Sequence, residues 1–494
     1  MVFSGITFLI YFLPPLLLLY HLLPKAARQP LLLAASLLFY AWGEPKYLVL
    51  MVVSILMNYV FGLLMGKARA VGIPERTLKL HLGIMVALDL SLLIFFKYTD
   101  MFLHWGNVIF HTKTPLLDLA LPIGISFYTF QALSYVIDVY RGNVSPQRNL
   151  MKFALYISMF PQLIAGPIVR YADLEPQLTL RDVSSSELMD GLAGFAKGLI
   201  KKVLLANAFG AMFELVKGAP GPVSLASAWL GAIAFTLQIY FDFSGYSDMA
   251  ISLGHLFGYT FPENFDHPYT AVSVTDFWRK WHISLGTWFR EYVYIPLGGN
   301  RVGTLRHIFN LLAVWMLTGL WHGAAFNFLL WGLYYGIWLI LEKYLILPGL
   351  GGNASEKNRR KIAGAGNTAT AATATAAGER GRLISVIGRL YTIPVIIIGW
   401  VLFAFTDPAE LGSYLLSMVG AGGLADHFSL TVFLQYAVML ALGILCSTRL
   451  PGKLYNGLKK NRPVILAILL LIGVILSVAA ITYDSYNPFL YFRF

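Results

Sequence analysis

Charge is scarce in this sequence. Asp, Glu, Lys and Arg make up 13% of its 494 residues, where soluble domains carry about 25%. Hydrophobic residues make up 57%, more than a soluble core of this size can hide from water. A soluble globular protein is excluded, as are collagen-like and disordered chains, and a multi-span integral membrane protein is expected. Cysteine is nearly absent. Cys446 stands alone, so no intrachain disulfide and no thiolate zinc cluster can form. HExxH, GxSxG and a Walker loop are all missing, which removes the common zinc-protease, hydrolase and nucleotide signatures. The N-terminus also lacks a basic n-region and a small-residue cleavage site. Thr7–Leu23 is therefore expected to be a retained first span.

What is present is apolar and aromatic. Phe, Trp and Tyr reach 15%, which suits aromatic belts at membrane interfaces. Candidate spans are Thr7–Leu23, Leu31–Trp42, Tyr47–Met65, Leu82–Phe96, Leu121–Tyr140, Phe153–Val169, Leu225–Phe241, His307–Leu320, Ala324–Leu341, Leu383–Phe405, Phe433–Cys446 and Val464–Ile481. Several are shorter than the roughly 20 residues a perpendicular helix needs. The expected fold is an all-α polytopic bundle of about 10–13 membrane-embedded helices, some short or re-entrant.

The net charge of +12 points to cytoplasmic loops and lipid headgroups rather than nucleic acid. Basic residues cluster in 66–80, 343–382 and 448–462, while 406–432 holds Asp407, Glu410 and Asp426 with no Lys or Arg. Positive charge faces the cytoplasm, so the first three are expected inside and the fourth outside. Both termini are then expected outside. The organisation expected is a membrane core over 1–348, a low-complexity cytoplasmic linker over 349–382, and C-terminal membrane helices over 383–494. The linker contains the Ala/Thr/Gly run 363–378, which lacks anchoring hydrophobes.

The richest polar region of the core is 266–342. As one helix, 276–290 would place Phe277, Trp281, Leu285 and Trp288 on one face, and Arg279, Gly286 and Arg290 on the other with His282 beside them. Trp278, Trp281 and Trp288 would anchor it at headgroup depth. Two readings stay open: a plain interfacial anchor, or a basic lip that receives an anionic substrate. The following 307–342 reads as a hairpin with His322 near its tip. A helix entering near Arg306 puts His322 roughly 22 Å deep at 1.5 Å per residue, inside a hydrocarbon core of about 30 Å. A buried neutral histidine can exchange a proton near neutral pH; it can also be a core residue bonded to a carbonyl. Gly323, Ala324 and Ala325 would leave room beside it. Asp242 and Asp248 are expected to be structural, and Lys197, Lys201 and Lys202 to snorkel to the headgroups. His255 and His267 show no metal-ligand spacing with each other or with His282.

These residues resemble the membrane-bound O-acyltransferase family. The likeness runs over nearly the whole chain and is carried by LFYAW at 38–42, LPIGISFYTFQ at 121–131, FPQLIAGPI at 160–168, YFDFSGYSD at 240–248, 276–301, TGLWHG at 318–323 and FLYFRF at 489–494. The resemblance is strongest to the branch that O-acetylates bacterial exopolysaccharides such as alginate. It implies that His322 is the catalytic histidine and His282 the second motif position, with a catalytic tunnel through the bundle. It further implies a cytoplasmic thioester donor, acetyl-CoA, whose phosphates suit Arg279 and Arg290, with no permanently bound cofactor and no metal. The acetyl group would pass across the inner membrane to a periplasmic polysaccharide acetyltransferase. D-alanyl transfer to a cell-wall polymer, and acyl transport without chemistry, are the alternatives. The 363–378 insert has no counterpart in the family.

Overall fold

The computed structural model describes residues 1–179, 182–349, 371–483 and 490. Among these residues the secondary structure is helical, apart from one isolated bridge between Phe265 and Trp281. Among the described residues, seven helices are long and apolar enough to cross a membrane: Leu48–Ala70, Glu75–Phe110, Leu225–Leu256, Phe326–Ile346, Ser385–Ala404, His427–Cys446 and Pro463–Tyr483. The expected spans Leu31–Trp42, Leu121–Tyr140, Phe153–Val169 and His307–Leu320 are helical, but in helices too short or too polar to join that set. Phe153–Val169 is not one helix. Leu150–Ser158 ends at Met159, and only Phe160–Leu163 follows. The expected linker lies outside the described residues from 350 to 370. From Ala371 onward it is already helix, in keeping with the high helix propensity of alanine.

The described residues form two compact units. The first comprises Met1–Ala208, Gln238–Asn264 and Tyr455–Phe494. Its interior holds charge. Lys202 is buried and pairs with the equally buried Asp242 at 2.8 Å, and it also donates to Asn207 Oδ1 at 2.9 Å. The other oxygen of Asp242 accepts from the Leu490 backbone N–H at 2.8 Å. Lys201 and Lys197 reach Asp248 at 2.7 Å and 3.4 Å. Lys202 is therefore a buried ion-pair member and not a snorkelling residue. The carboxylate partners of the three lysines sit on Leu225–Leu256, a helix that runs on well past the expected end at Phe241. Two buried charges cost less together than either would alone. The lysines come from Ser185–Ile200 and the π-helical turn Lys201–Ala206, a segment too polar to register as a span by hydropathy.

The second unit comprises Phe209–Leu237 and Phe265–Leu454. Its centre is the expected hairpin, formed by helices Thr304–His322 and Phe326–Leu341. Glycines set how closely the two arms approach. A Cβ on Gly319 would strike the Phe328 carbonyl oxygen, and one on Gly332 would strike that of Trp315. The helix 385–404 packs on this hairpin through Tyr334, which donates to the Val395 carbonyl at 2.9 Å. Asn327 grips the end of the same helix through the Leu402 and Phe403 carbonyls at 3.3 Å and 3.0 Å.

Candidate active site

The first arm of the hairpin ends at His322 because Gly323 turns extended, with φ −172° and ψ 167°. His322 is buried, 9% exposed. Aromatic rings surround it. The Trp331 ring centroid lies 5.1 Å away, that of Phe403 5.2 Å and that of Trp321 4.9 Å, each nearly perpendicular to the imidazole. The space beside Gly323 is not open as expected: the Phe328 ring occupies it. This is a desolvated site, where a proton acceptor faces little competition from water.

The region 276–290 is not one helix. Val274–Lys280 and Ile283–Phe289 are separate short helices. Trp281 between them is extended and pairs with Phe265, while the Asp266 N–H donates to the Lys280 carbonyl at 3.0 Å. His282 takes φ 47° and ψ 55°, a left-handed conformation that costs a non-glycine residue about 1–3 kcal/mol. The break turns the tryptophans inward. Trp281 and Trp288 are 4% and 6% exposed, and Trp278 stacks edge-on against Trp315, Trp331 and Tyr335. Trp281 and Trp288 are core residues, not headgroup anchors.

The same break brings His282 toward the hairpin. It is 2% exposed, and its ring lies 5.9 Å from that of Trp321. The Trp321 indole thus touches both histidines. Burial pushes the His282 imidazole down to about 3, so it is neutral at physiological pH. The Ser284 hydroxyl lies 3.5 Å from its Nδ1. Arg279 and Arg290 remain at the surface. The Arg290 side chain is 67% exposed, 3.8 Å from Glu291. The structure therefore joins the two histidines through one indole and leaves the two arginines available to solvent.

Three polar residues of this unit gave no motif in the sequence. Glu342 is fully buried. Its carboxylate accepts from the backbone N–H of Val274 at 2.6 Å, from that of Thr275 at 3.0 Å, and from the Tyr391 hydroxyl at 2.9 Å. It ties the start of the short helix before His282 to the hairpin and to the helix 385–404. His307 is buried between the Tyr294 and Tyr344 hydroxyls at 2.9 Å and 2.7 Å, with Lys343 at 3.1 Å. Asn310 donates to the carbonyls of Leu297 and Gly299, both at 3.1 Å, and so fixes the turn after Ile295. A separate cavity of about 420 Å³ is lined by Lys217, Phe405, Glu410, Ser413, Tyr414 and Ser417 among others, and neither histidine borders it.

Comparison with known proteins gives this arrangement a context. The family model of the membrane-bound O-acyltransferases matches residues 144–347, which include both histidines. A probable alginate O-acetylase of Pseudomonas putida is 38% identical over 522 aligned residues, covering all of both chains. A peptidoglycan O-acetyltransferase of Helicobacter pylori is 37% identical over 375 residues, 69% of this chain and 70% of its own. A teichoic acid D-alanyltransferase of Bacillus subtilis is 28% identical over 227 residues, 44% of this chain and 57% of its own. Full-length identity of this order, together with a buried histidine at the hairpin tip, shows that the chain belongs to the membrane-bound O-acyltransferase family and is a multi-pass membrane acyltransferase.

Proposed function

We propose that this protein takes acetyl groups from cytoplasmic acetyl-CoA and passes them across the inner membrane to a periplasmic acetyltransferase, for O-acetylation of an exopolysaccharide such as alginate. The observation that carries this reading is the match to a probable alginate O-acetylase over the entire length of both chains. His322 is the general base. In its ring of Trp321, Trp331 and Phe403 the imidazole sits in a low dielectric, where a proton taken from an attacking hydroxyl is passed on rather than lost to bulk water. His282, neutral and held by its strained backbone, orients the reacting groups from the other side of Trp321. Arg279 and Arg290, solvent-facing on the segment that carries His282, bind the phosphates of the donor. The basic segments on the cytoplasmic side and the acidic 406–432 segment outside give the transfer its direction.

The test is release of free CoA from radiolabelled acetyl-CoA by the purified protein, with and without the periplasmic partner. His322→Ala should abolish release while the variant stays in the membrane and elutes as wild type in detergent. Wild-type release from that variant would remove His322 from the chemistry. Acetyl transport with no CoA released would make the protein a transporter.

A further inference from the structure

Trp331, in ring contact with His322, and its neighbours Trp278 and Trp400 are three indoles whose N–H groups have no hydrogen-bond partner among the described residues. Trp331 and Trp400 are 0% and 1% exposed. A buried indole N–H normally finds an acceptor, and leaving one unpaired is destabilising. The three rings form one cluster, with centroids 5.4, 6.2 and 6.3 Å apart, so three unpaired donors lie in the same packed region.

The three are not equivalent. Trp331 is the one in ring contact with His322, with centroids 5.1 Å apart and planes at 80°. Trp278 and Trp400 stand behind it at 5.4 Å and 6.3 Å. Trp331 is also rigidly placed. The next residue, Gly332, packs against the Trp315 backbone of the other arm, and Trp278, Trp315, Tyr335 and Phe403 crowd its ring. A fixed donor in a dry site costs no reorganisation when charge develops beside it.

We propose that the Trp331 Nε1–H donates to the carbonyl oxygen of the acyl group being transferred and stabilises the oxyanion formed there. This rests on the reading of His322 as the base for acyl transfer. In the step, the acceptor hydroxyl oxygen forms a bond to the thioester carbon, and its proton moves to His322. The carbonyl electron pair moves onto oxygen, where Trp331 holds it. Collapse restores the carbonyl and breaks the carbon–sulfur bond. The departing thiolate takes the proton from His322, so the products are the acyl ester and the free thiol.

The test replaces Trp331 with 3-benzothienylalanine, which keeps the fused rings and exchanges the N–H for sulfur, and in parallel makes Trp331→Phe. Loss of one oxyanion donor lowers kcat roughly 100- to 1,000-fold. Both variants should show a fall of that order with KM for acetyl-CoA unchanged and with wild-type elution in detergent. A benzothienyl variant within about twofold of wild type overturns the proposal, and a loss confined to Trp331→Phe does so too, because it assigns Trp331 to packing. His322→Ala in the same assay separates the two claims. If that variant is inactive and the benzothienyl variant is normal, only the role of Trp331 falls. If it is active, the reading of His322 falls and this proposal falls with it.

Discussion

Glu342→Gln is the most informative perturbation outside the chemistry itself. The carboxylate receives two backbone N–H groups and one hydroxyl, at 2.6, 3.0 and 2.9 Å, with no access to water. Glutamine has nearly the same size but offers one oxygen and one NH₂. Its NH₂ must face a donor, so at least one of the three bonds is lost and the others lose their charge assistance. A buried donor left unpaired costs about 1–3 kcal/mol, which lowers the equilibrium constant for docking of the Val274–Lys280 helix roughly 5- to 150-fold. Because that helix leads directly into His282, turnover should fall with the docked population. Hydrogen exchange at the Val274 and Thr275 amides reads the same equilibrium without chemistry, and should accelerate by a similar factor. Glu342→Ala, which strands all three donors, should exceed Glu342→Gln in both readouts. Unchanged amide exchange in Glu342→Gln, together with normal turnover, would refute the claim that this carboxylate holds the segment in place.

Two further outcomes are expected. Asp242→Asn leaves Lys202 buried without its countercharge and should destabilise the protein by about 3–5 kcal/mol, read as a lower thermal midpoint in detergent, while the double variant Lys202→Met/Asp242→Leu should recover most of that loss. Arg279→Ala and Arg290→Ala should each raise KM for acetyl-CoA roughly 10- to 100-fold, as expected for loss of one charge-assisted contact worth about 1.5–3 kcal/mol, with little change in kcat; a normal KM in steady-state kinetics would mean that the donor enters elsewhere.

Composition alone determined that this chain belongs in a membrane, because 57% hydrophobic content with 13% charge leaves no soluble solution. Local pattern placed most helices and the 307–342 hairpin, since an apolar run of sufficient length has few alternatives in lipid. It also put His322 at the hairpin tip, where Gly323 ends the helix. Periodicity failed at 276–290, where a regular amphipathic stripe is cut at Trp281 and His282. The cut is made by pairing with Phe265 and by anchoring of Val274 and Thr275 to Glu342, contacts that span many residues and leave no local signature. The charges failed for the same reason. Lys202 reads as a snorkelling residue until Asp242, 40 positions away, is brought against it at 2.8 Å. The indole cluster built on Trp331, which meets His322, draws on three separate helices. Each tryptophan alone is an ordinary apolar residue, and only their packing leaves the N–H groups of Trp278, Trp331 and Trp400 buried without acceptors.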